Sequence, residues 1–536
     1  MDGTNGSWDR SKREGDRWEV CGHALRAIIK DNCCADQVEG IGVSGFKNLI
    51  DVDVYFSPFT CIAGANGTGK SNLFDAIVFL SSLADRSLTD AALSVRDEGG
   101  RMSDLRGIFH QFGSDYDRQM IFEAEMIVPP EAQDDLGQKA NASITFLRYS
   151  LNLTYRGDDG TRPPLEITKE ELTHITQGQA REQLPFPHSP EWRRSAILGR
   201  RTSPFISTAG EGSDRVIRLH QEGVQGRTRQ FAAANLPRTV LSSANAAESP
   251  TALVARQEMR SWRLLQLEPS ALRRPDEFTA PARMGADGSH VAATLYHLAR
   301  QNGHGYPGYS TEQDHTEQIY AQVSNRLAEL IDDVGSVSID RDERRELLTL
   351  MVSDRSGTLY PARALSDGTL RFLALAVLYL DPTSQGVLCL EEPENGIHPA
   401  RIPSMLNLLQ DIAADATRPI AVDNPLRQVI INTHSPSVVS QVPDDSLVVA
   451  QIKECIVGER RFNAARFSGL ANTWRTGKDE DEDSVARGTL AAYLNPNATT
   501  LEQPEQGDDA SRRQRPRRVK DRPDMQLLLP GITALA

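Results

Sequence analysis

The stretch Gly64-Ala65-Asn66-Gly67-Thr68-Gly69-Lys70-Ser71, following the short apolar run 59–63, decides the fold. It fits G-x-x-x-x-G-K-[ST] between a predicted strand and a predicted helix, the context which that pattern requires. The glycines let backbone N–H groups close around phosphate oxygens. Lys70 neutralises the β and γ oxygens as a point charge, and Ser71 offers a hydroxyl to Mg²⁺. A helix beginning at Lys70 adds its positive end at the same place. These residues predict a nucleoside triphosphate site on an α/β chain.

Three later stretches supply matching chemistry. Leu388-Cys389-Leu390-Glu391-Glu392 reads as a buried strand ending in two acids. Alone, such acids are usually a solvated strand end. Beside a phosphate loop, Glu391 takes the metal-holding role and Glu392 orients or deprotonates the attacking water. Leu365-Ser366-Asp367-Gly368-Thr369 precedes a strongly apolar helix. Ser366 and Asp367 are good helix caps, but a hydroxyl, glycine N–H groups and a helix start also make an anion site suited to a γ-phosphate. One chain rarely places two such sites on one nucleotide, so Ser366, Asp367 and Gly368 are expected to act across a dimer. Finally, Thr433-His434-Ser435-Pro436 ends the run RQVIINT, putting His434 where it could sense the γ-phosphate or position water.

The surrounding pattern supports a parallel core. GVLCLE and RQVIINT are continuous apolar runs separated by a helical segment, Pro403 to Ala413, a βαβ rhythm that implies strands covered on both faces. The helix from Thr369 to Leu380 is apolar all round and therefore buried. Strands are predicted at VEGIGVSGF, IDVDVYF and FTCIA, and alternation in Arg118 to Val128 and Ile144 to Tyr155 predicts a neighbouring antiparallel sheet. Further on come a hairpin around RVIRLHQEG, helices near Ala252 to Leu267 and Glu317 to Ile331, and a hairpin turning at Asp354 to Gly357. No heptads persist, which excludes a long coiled-coil arm.

Composition sets the outer bounds. In 536 residues there are 59 Lys plus Arg and 73 Asp plus Glu, a net charge of −14. This argues against a DNA-coating surface and leaves nucleic-acid contact to a local patch. The longest apolar run, Phe372 to Leu380, is nine residues, against the roughly 20 a membrane helix needs. The start of the chain has no apolar signal segment, so a cytoplasmic protein without membrane contact is expected. Six cysteines, Cys21, Cys33, Cys34, Cys61, Cys389 and Cys455, show no zinc-ligand spacing and read as free thiols.

GANGTGKSN, LSDGTLRFLAL, CLEEPENGIHP and NTHSP, in this order, resemble the ABC-type ATPase heads of the RecF/SMC/OLD group, specifically the bacterial stand-alone, AAA-like, defence-associated ATPases. Trp262, Leu267-Glu268-Pro269, Arg273 to Pro275 and ADGSHVAATLYHL resemble the stretch those proteins carry before their signature. The likeness runs from about residue 38 to 470. It implies an ABC-ATPase-head P-loop NTPase: a parallel sheet core, an antiparallel β-lobe and a mixed helical and β insertion. It implies Gly64, Asn66, Gly67, Gly69, Lys70, Ser71 and Asn72 around ATP, with Mg²⁺ held by Ser71 and Glu391. Glu392 and His434 would be catalytic, and Ser366, Asp367 and Gly368 would be the signature supplied by the partner in a head-to-head homodimer. The family's metal-holding Asp is Glu391 here. Its Q-loop glutamine, a further metal contact, is assigned to Gln111 in IFHQFG.

The expected organisation is a polar extension over 1–36 that could end in a short helix from Cys21 to Ile29, and an N-terminal half of the head with P-loop and β-lobe over 37–155. A mixed insertion follows over 156–345, then a C-terminal half with signature, acids and switch histidine over 346–475, and a largely disordered tail over 476–536. The tail carries seven Lys and Arg between Arg512 and Arg522, which could contact nucleic acid or an acidic partner. Its Asp481-Glu482-Asp483 follows no apolar strand, so no nuclease is assigned to this chain. The expected activity is an Mg²⁺-dependent ATPase whose dimerisation controls a separate effector, with a non-hydrolysing ATP-binding scaffold and a DNA-repair ATPase as rivals.

Overall fold

A computed structural model describes residues 25–29, 45–95, 104–113, 115–157, 163–222, 228–300, 312–457, 460–476 and 485. At its centre lies a six-stranded sheet. Its elements are β1 (Phe59–Ala63), followed by α1 (Lys70–Leu83); β2 (Arg263–Leu265); α2 (Asp367–Leu380); β3 (Gly386–Glu391); α3 (Ile402–Ile412); β4 (Arg427–Thr433); β5 (Leu447–Val457); and β6 (Arg460–Gly469). The strand order is β2-β3-β4-β1-β5-β6. Neighbours are parallel from β2 through β5, and only the closing pair β5–β6 is antiparallel.

Both faces of this sheet are covered, which is why its strands carry unbroken apolar runs. Val387, Cys389, Ile430 and Ile62 point towards α1, joining Phe74 and Ile77. The alternate residues Leu388, Leu390, Val429 and Ile431 point the other way and join Phe372 and Leu373 of α2 with Leu406 and Leu409 of α3. Period-two alternation thus splits one sequence run between two cores.

A second sheet of eight strands is antiparallel throughout, in the order Thr228–Ala232, Val216–His220, Ile206–Ala209, Leu165–His174, Phe146–Tyr155, Gln119–Ile127, Leu25–Ile29, Val52–Tyr55. It includes the predicted stretches near 118–128 and 144–155 and the hairpin around residue 216. A smaller sheet pairs Val334–Asp342, Leu347–Asp354, Leu359–Pro361 and Asp276–Glu277. The stretch 156–345 contributes strands to all three of these sheets.

Two local expectations change. Leu25–Ile29 is a strand pairing on both sides, with Val52–Tyr55 and Gln119–Ile127, and not a helix. Sheet pairing outweighs the weak helical preference of five residues. The helix near Ala252 to Leu267 stops at Ser261, and Arg263–Leu265 turns into the sheet beside β3. The expected strand over VEGIGVSGF lies outside the described residues up to Ser44, as do the N-terminal extension before Leu25, the acidic run and the basic tail. Cys61 and Cys389 are buried free thiols and Cys455 is half-buried. Among the described residues no helix is long and apolar enough to cross a membrane.

Candidate functional site

Because β1 to β4 are parallel, their carboxyl ends face one way, the position where open α/β sheets bind ligands. The register keeps those ends level: Leu265 pairs with Leu390, Glu391 with Asn432, and Thr433 with Ala63. Four loops therefore meet around a cleft of about 550 Å³.

The loop after β1 lines it with Asn66, Gly67, Gly69, Lys70, Ser71 and Asn72. Gly69 caps α1 at φ 98°, a left-handed conformation that favours glycine. A Cβ there would come within 2.7 Å of Ala465 Cβ and 2.8 Å of Asn48 Oδ1. Asn72 donates to the same Asn48 Oδ1 at 2.8 Å, fastening the start of α1 to the strand-rich segment before β1. Gly64 lies behind the cleft, its N–H on the Thr433 carbonyl at 3.3 Å. The Lys70 ammonium spans the loop, donating to the carbonyls of Gly64 at 2.6 Å and Ala65 at 2.8 Å. Burial pulls its pKa below the ordinary lysine value, and the charges of Glu392, Glu391 and Glu394 oppose that pull.

Past β3 stand the two acids. Glu391 Oε2 accepts from Gln266 Nε2 at 2.9 Å. Glu392 sits at φ 46°, a rare conformation for a side-chain-bearing residue. Its N–H is shared between the carbonyl and the side-chain Oδ1 of Asn432, both at 3.1 Å. Its carboxylate accepts from Asn395 Nδ2 at 2.8 Å and lies 2.6 Å from His434 Nδ1. The backbone is thus held by β4 while the side chain is oriented by a histidine and an amide.

At the start of α2, Ser366 Oγ accepts from the Thr369 N–H at 3.2 Å. Arg273 donates to the Leu365 carbonyl at 3.1 Å and also pairs with Asp367. Gly368 lies against the backbone of Gly396, in the loop after β3: a Cβ on Gly368 would be 2.2 Å from the Gly396 oxygen. Ser366, Asp367 and Gly368 do not line their own chain's cleft, whereas Arg371, one turn further on, does. Arg371 donates to the carbonyls of Leu267 at 3.1 Å and Asn395 at 2.7 Å, joining the loops after β2 and β3.

Gln111 is not among the cleft-lining residues. It lies exposed on the short hairpin Gln111–Phe112 and Asp115–Tyr116, donating to the Gly113 carbonyl at 3.2 Å. Within the cleft, Gln266, at the end of the strand beside β3, is the glutamine that reaches an acid. A helix continued through Leu267 leaves no place for it, whereas the chain turns at Trp262 and runs extended over Arg263–Leu265 before Pro269. Arg371, Asn395 and Asn432 lie within LSDGTLRFLAL, CLEEPENGIHP and NTHSP, but no role follows for them from the sequence alone.

These donors fit a nucleotide with its metal. Among the described residues no group of three or more His, Cys, Asp or Glu could hold an ion by itself. Mg²⁺ needs none, since it commonly takes one or two carboxylates and completes its shell with phosphate oxygens and water. Ser71 and Glu391 are the groups that would hold it.

Residues 59–440 match the family described as "AAA domain, putative AbiEii toxin, Type IV TA system". A 79-residue stretch is 34% identical to the DNA replication and repair protein RecF of two strains of Porphyromonas gingivalis, covering 15% of this chain and 21% of that protein. The match thus spans about a fifth of that relative's length. Among solved structures, the SmcHead bound to the C-winged helix domain of ScpA aligns with a TM-score of 0.37 at 13% identity, covering 83% of this chain and 98% of that one. The Smc head domain with an extended coiled coil, bound to the C-terminal domain of ScpA derived from Pyrococcus furiosus, aligns with a TM-score of 0.37 at 12% identity, covering 84% and 96%. With residues 59–440 matched and a phosphate loop, paired acids and a histidine converging at one end of the sheet, the chain belongs to this AAA-domain family.

Proposed function

We propose that this protein is a cytoplasmic, Mg²⁺-dependent ATPase whose ATP-driven head-to-head dimerisation controls a separate effector, such as a nuclease, in antiphage defence or DNA maintenance. The observation that carries the hydrolytic half is the Glu392–His434 contact of 2.6 Å at the rim of the Lys70 cleft. Backbone N–H groups of the loop and Lys70 bind the phosphates; Mg²⁺, which Ser71 and Glu391 would hold, would supply neutralisation of charge on the transferred group. Gln266 holds the Glu391 carboxylate by its hydrogen bond. Glu392 accepts the proton of the attacking water, and His434 and Asn395 hold its carboxylate in line.

What supports the dimer is that the Ser366 to Gly368 helix start lies outside its own cleft while Ser366 and Asp367 remain exposed. A second chain could present them to the γ-phosphate. Purified protein should release phosphate from ATP, and Glu392→Gln should slow that release by about 10²–10⁴-fold. Equal basal rates would favour the rival reading, an ATP-binding scaffold with negligible turnover. Ser366→Arg should bind ATP as a monomer yet fail to dimerise; ATP-dependent dimers seen by light scattering would remove the trans role. The RecF likeness favours a second rival, a DNA-binding repair ATPase. That reading requires DNA affinity whose logarithm falls linearly with the logarithm of salt concentration.

A further inference from the structure

Glu394 lies in the same acidic run as Glu391 and Glu392 but has none of their roles. It does not line the cleft. The residue is only 7% exposed. Its Oε1 accepts from the Thr433 hydroxyl, while Oε2 has no hydrogen-bond partner. Burial raises the carboxyl's pKa, and the Thr433 hydroxyl opposes the rise. A buried carboxyl with an unsatisfied oxygen is a poor way to stabilise a core, where an apolar side chain would serve better.

Its partner explains the placement. Because Oε1 accepts, Thr433 donates its hydroxyl hydrogen forward and keeps its oxygen free to accept the Ser435 N–H at 2.9 Å. The Thr433 carbonyl meanwhile takes the Gly64 N–H at 3.3 Å. One buried side chain thus joins the loop after β3 to both residues flanking His434, directly against the first glycine of the phosphate loop.

We propose that Glu394 is a positioning residue: through Thr433 it fixes the Thr433 to Ser435 turn and so keeps His434 Nδ1 against Glu392 Oε1. This rests on the ATPase reading above. It makes the two loops that carry the water-activating groups a single unit, in which Glu394 acts without touching the cleft.

The test compares Thr433→Ser, Thr433→Val and Glu394→Ala in the full chain. Steady-state phosphate release, fluorescent-ATP affinity and the ¹⁵N resonances of the His434 ring, assigned with His434→Gln, are the readouts. Thr433→Ser should behave as wild type. Thr433→Val and Glu394→Ala should each lower kcat by about 10–100-fold, the range for partners that orient site ligands. KM and ATP affinity should stay within about twofold, the His434 resonances should move, and the double variant should lose little more than either single one. The proposal is overturned if both variants keep wild-type kcat and resonances, or if kcat, ATP affinity and melting temperature all fall together. Should wild type release no phosphate, the ATPase reading fails separately; His434 resonances that stay fixed in both variants would then overturn the positioning role. If Thr433→Val does not fold, Glu394→Ala decides by the same readouts.

Discussion

Gly368→Ala sets two effects of opposite sign against each other. Alanine within a helix is favoured over glycine by about 1 kcal/mol, and Gly368 is the second residue of the 14-residue α2. Considered as a helix, the variant should gain stability. Yet the new Cβ would sit 2.2 Å from the Gly396 oxygen and 2.9 Å from its carbonyl carbon, where real contacts essentially never fall below 3.0 Å. The obstacle is backbone, so relief requires α2 and the loop after β3 to separate by at least 3.0 − 2.2 = 0.8 Å. Overpacking of this kind costs about 1–3 kcal/mol, which equals or exceeds the helical gain. The functional effect should be larger. The displaced loop contains Asn395, which holds Glu392, and a 1 Å misplacement of catalytic groups can cost about 10²-fold in rate. Phosphate release should therefore fall about 10²-fold while fluorescent-ATP affinity, set by the opposite wall of the cleft, stays near wild type. Circular dichroism should report a slightly lower melting temperature. Wild-type turnover in Gly368→Ala would refute the tight coupling between the start of α2 and the acid-bearing loop.

Other perturbations separate the remaining parts. Lys70→Ala should weaken fluorescent-ATP binding by at least about 30-fold, the lower end for truncating one member of a buried charge pair; unchanged affinity would remove the lysine from the phosphate site. Gln266→Ala should raise the Mg²⁺ concentration for half-maximal phosphate release by about 10–100-fold, whereas Gln111→Ala should leave that titration unchanged, and the reverse pattern would restore Gln111. In the antiparallel sheet, burial lifts the Glu170 carboxyl to about 7, against the pull of the Leu241 and Val240 N–H groups and the Tyr149 hydroxyl. The folded chain then binds this proton more tightly than the unfolded one from about pH 4.5 to 7, so this group's contribution to stability declines as pH rises through that window, by up to roughly 3 kcal/mol. Urea midpoints at pH 5 and pH 8 should differ more for wild type than for Glu170→Gln, and equal differences would show that this carboxyl does not set the slope.

Much of the architecture is legible in the sequence because local and tertiary signals agree. The unbroken runs of β3 and β4 can satisfy their pattern only with cover on two faces, and the phosphate loop marks where β1 ends and α1 begins. Legibility falls where an element is short or where its role depends on a distant neighbour. Leu25–Ile29 is five residues whose state is decided by two strands, one of them nearly 100 residues downstream. Gln266 follows a three-residue strand that periodicity cannot separate from the helix before it. Arg371 lies within a buried apolar helix and works by reaching backbone carbonyls, which no side-chain motif encodes. Asn432 matters through its hydrogen bonds to the Glu392 N–H, a requirement visible only once Glu392 is seen in its left-handed conformation.

The strand order also governs how this chain emerges from a ribosome. β1 is made early, but its two flanking strands, β4 and β5, begin only at Arg427 and Leu447. From Ala63 to Arg427 is 427 − 63 = 364 residues, roughly 20–70 s of synthesis at ordinary elongation rates. Throughout that interval Phe59–Ala63 has neither sheet neighbour, and its apolar side chains and open backbone edges invite non-native pairing. A burden on nascent-chain chaperones is therefore built into the topology, and relocating the termini so that β4 and β5 are translated beside β1 should raise soluble yield without altering the finished molecule.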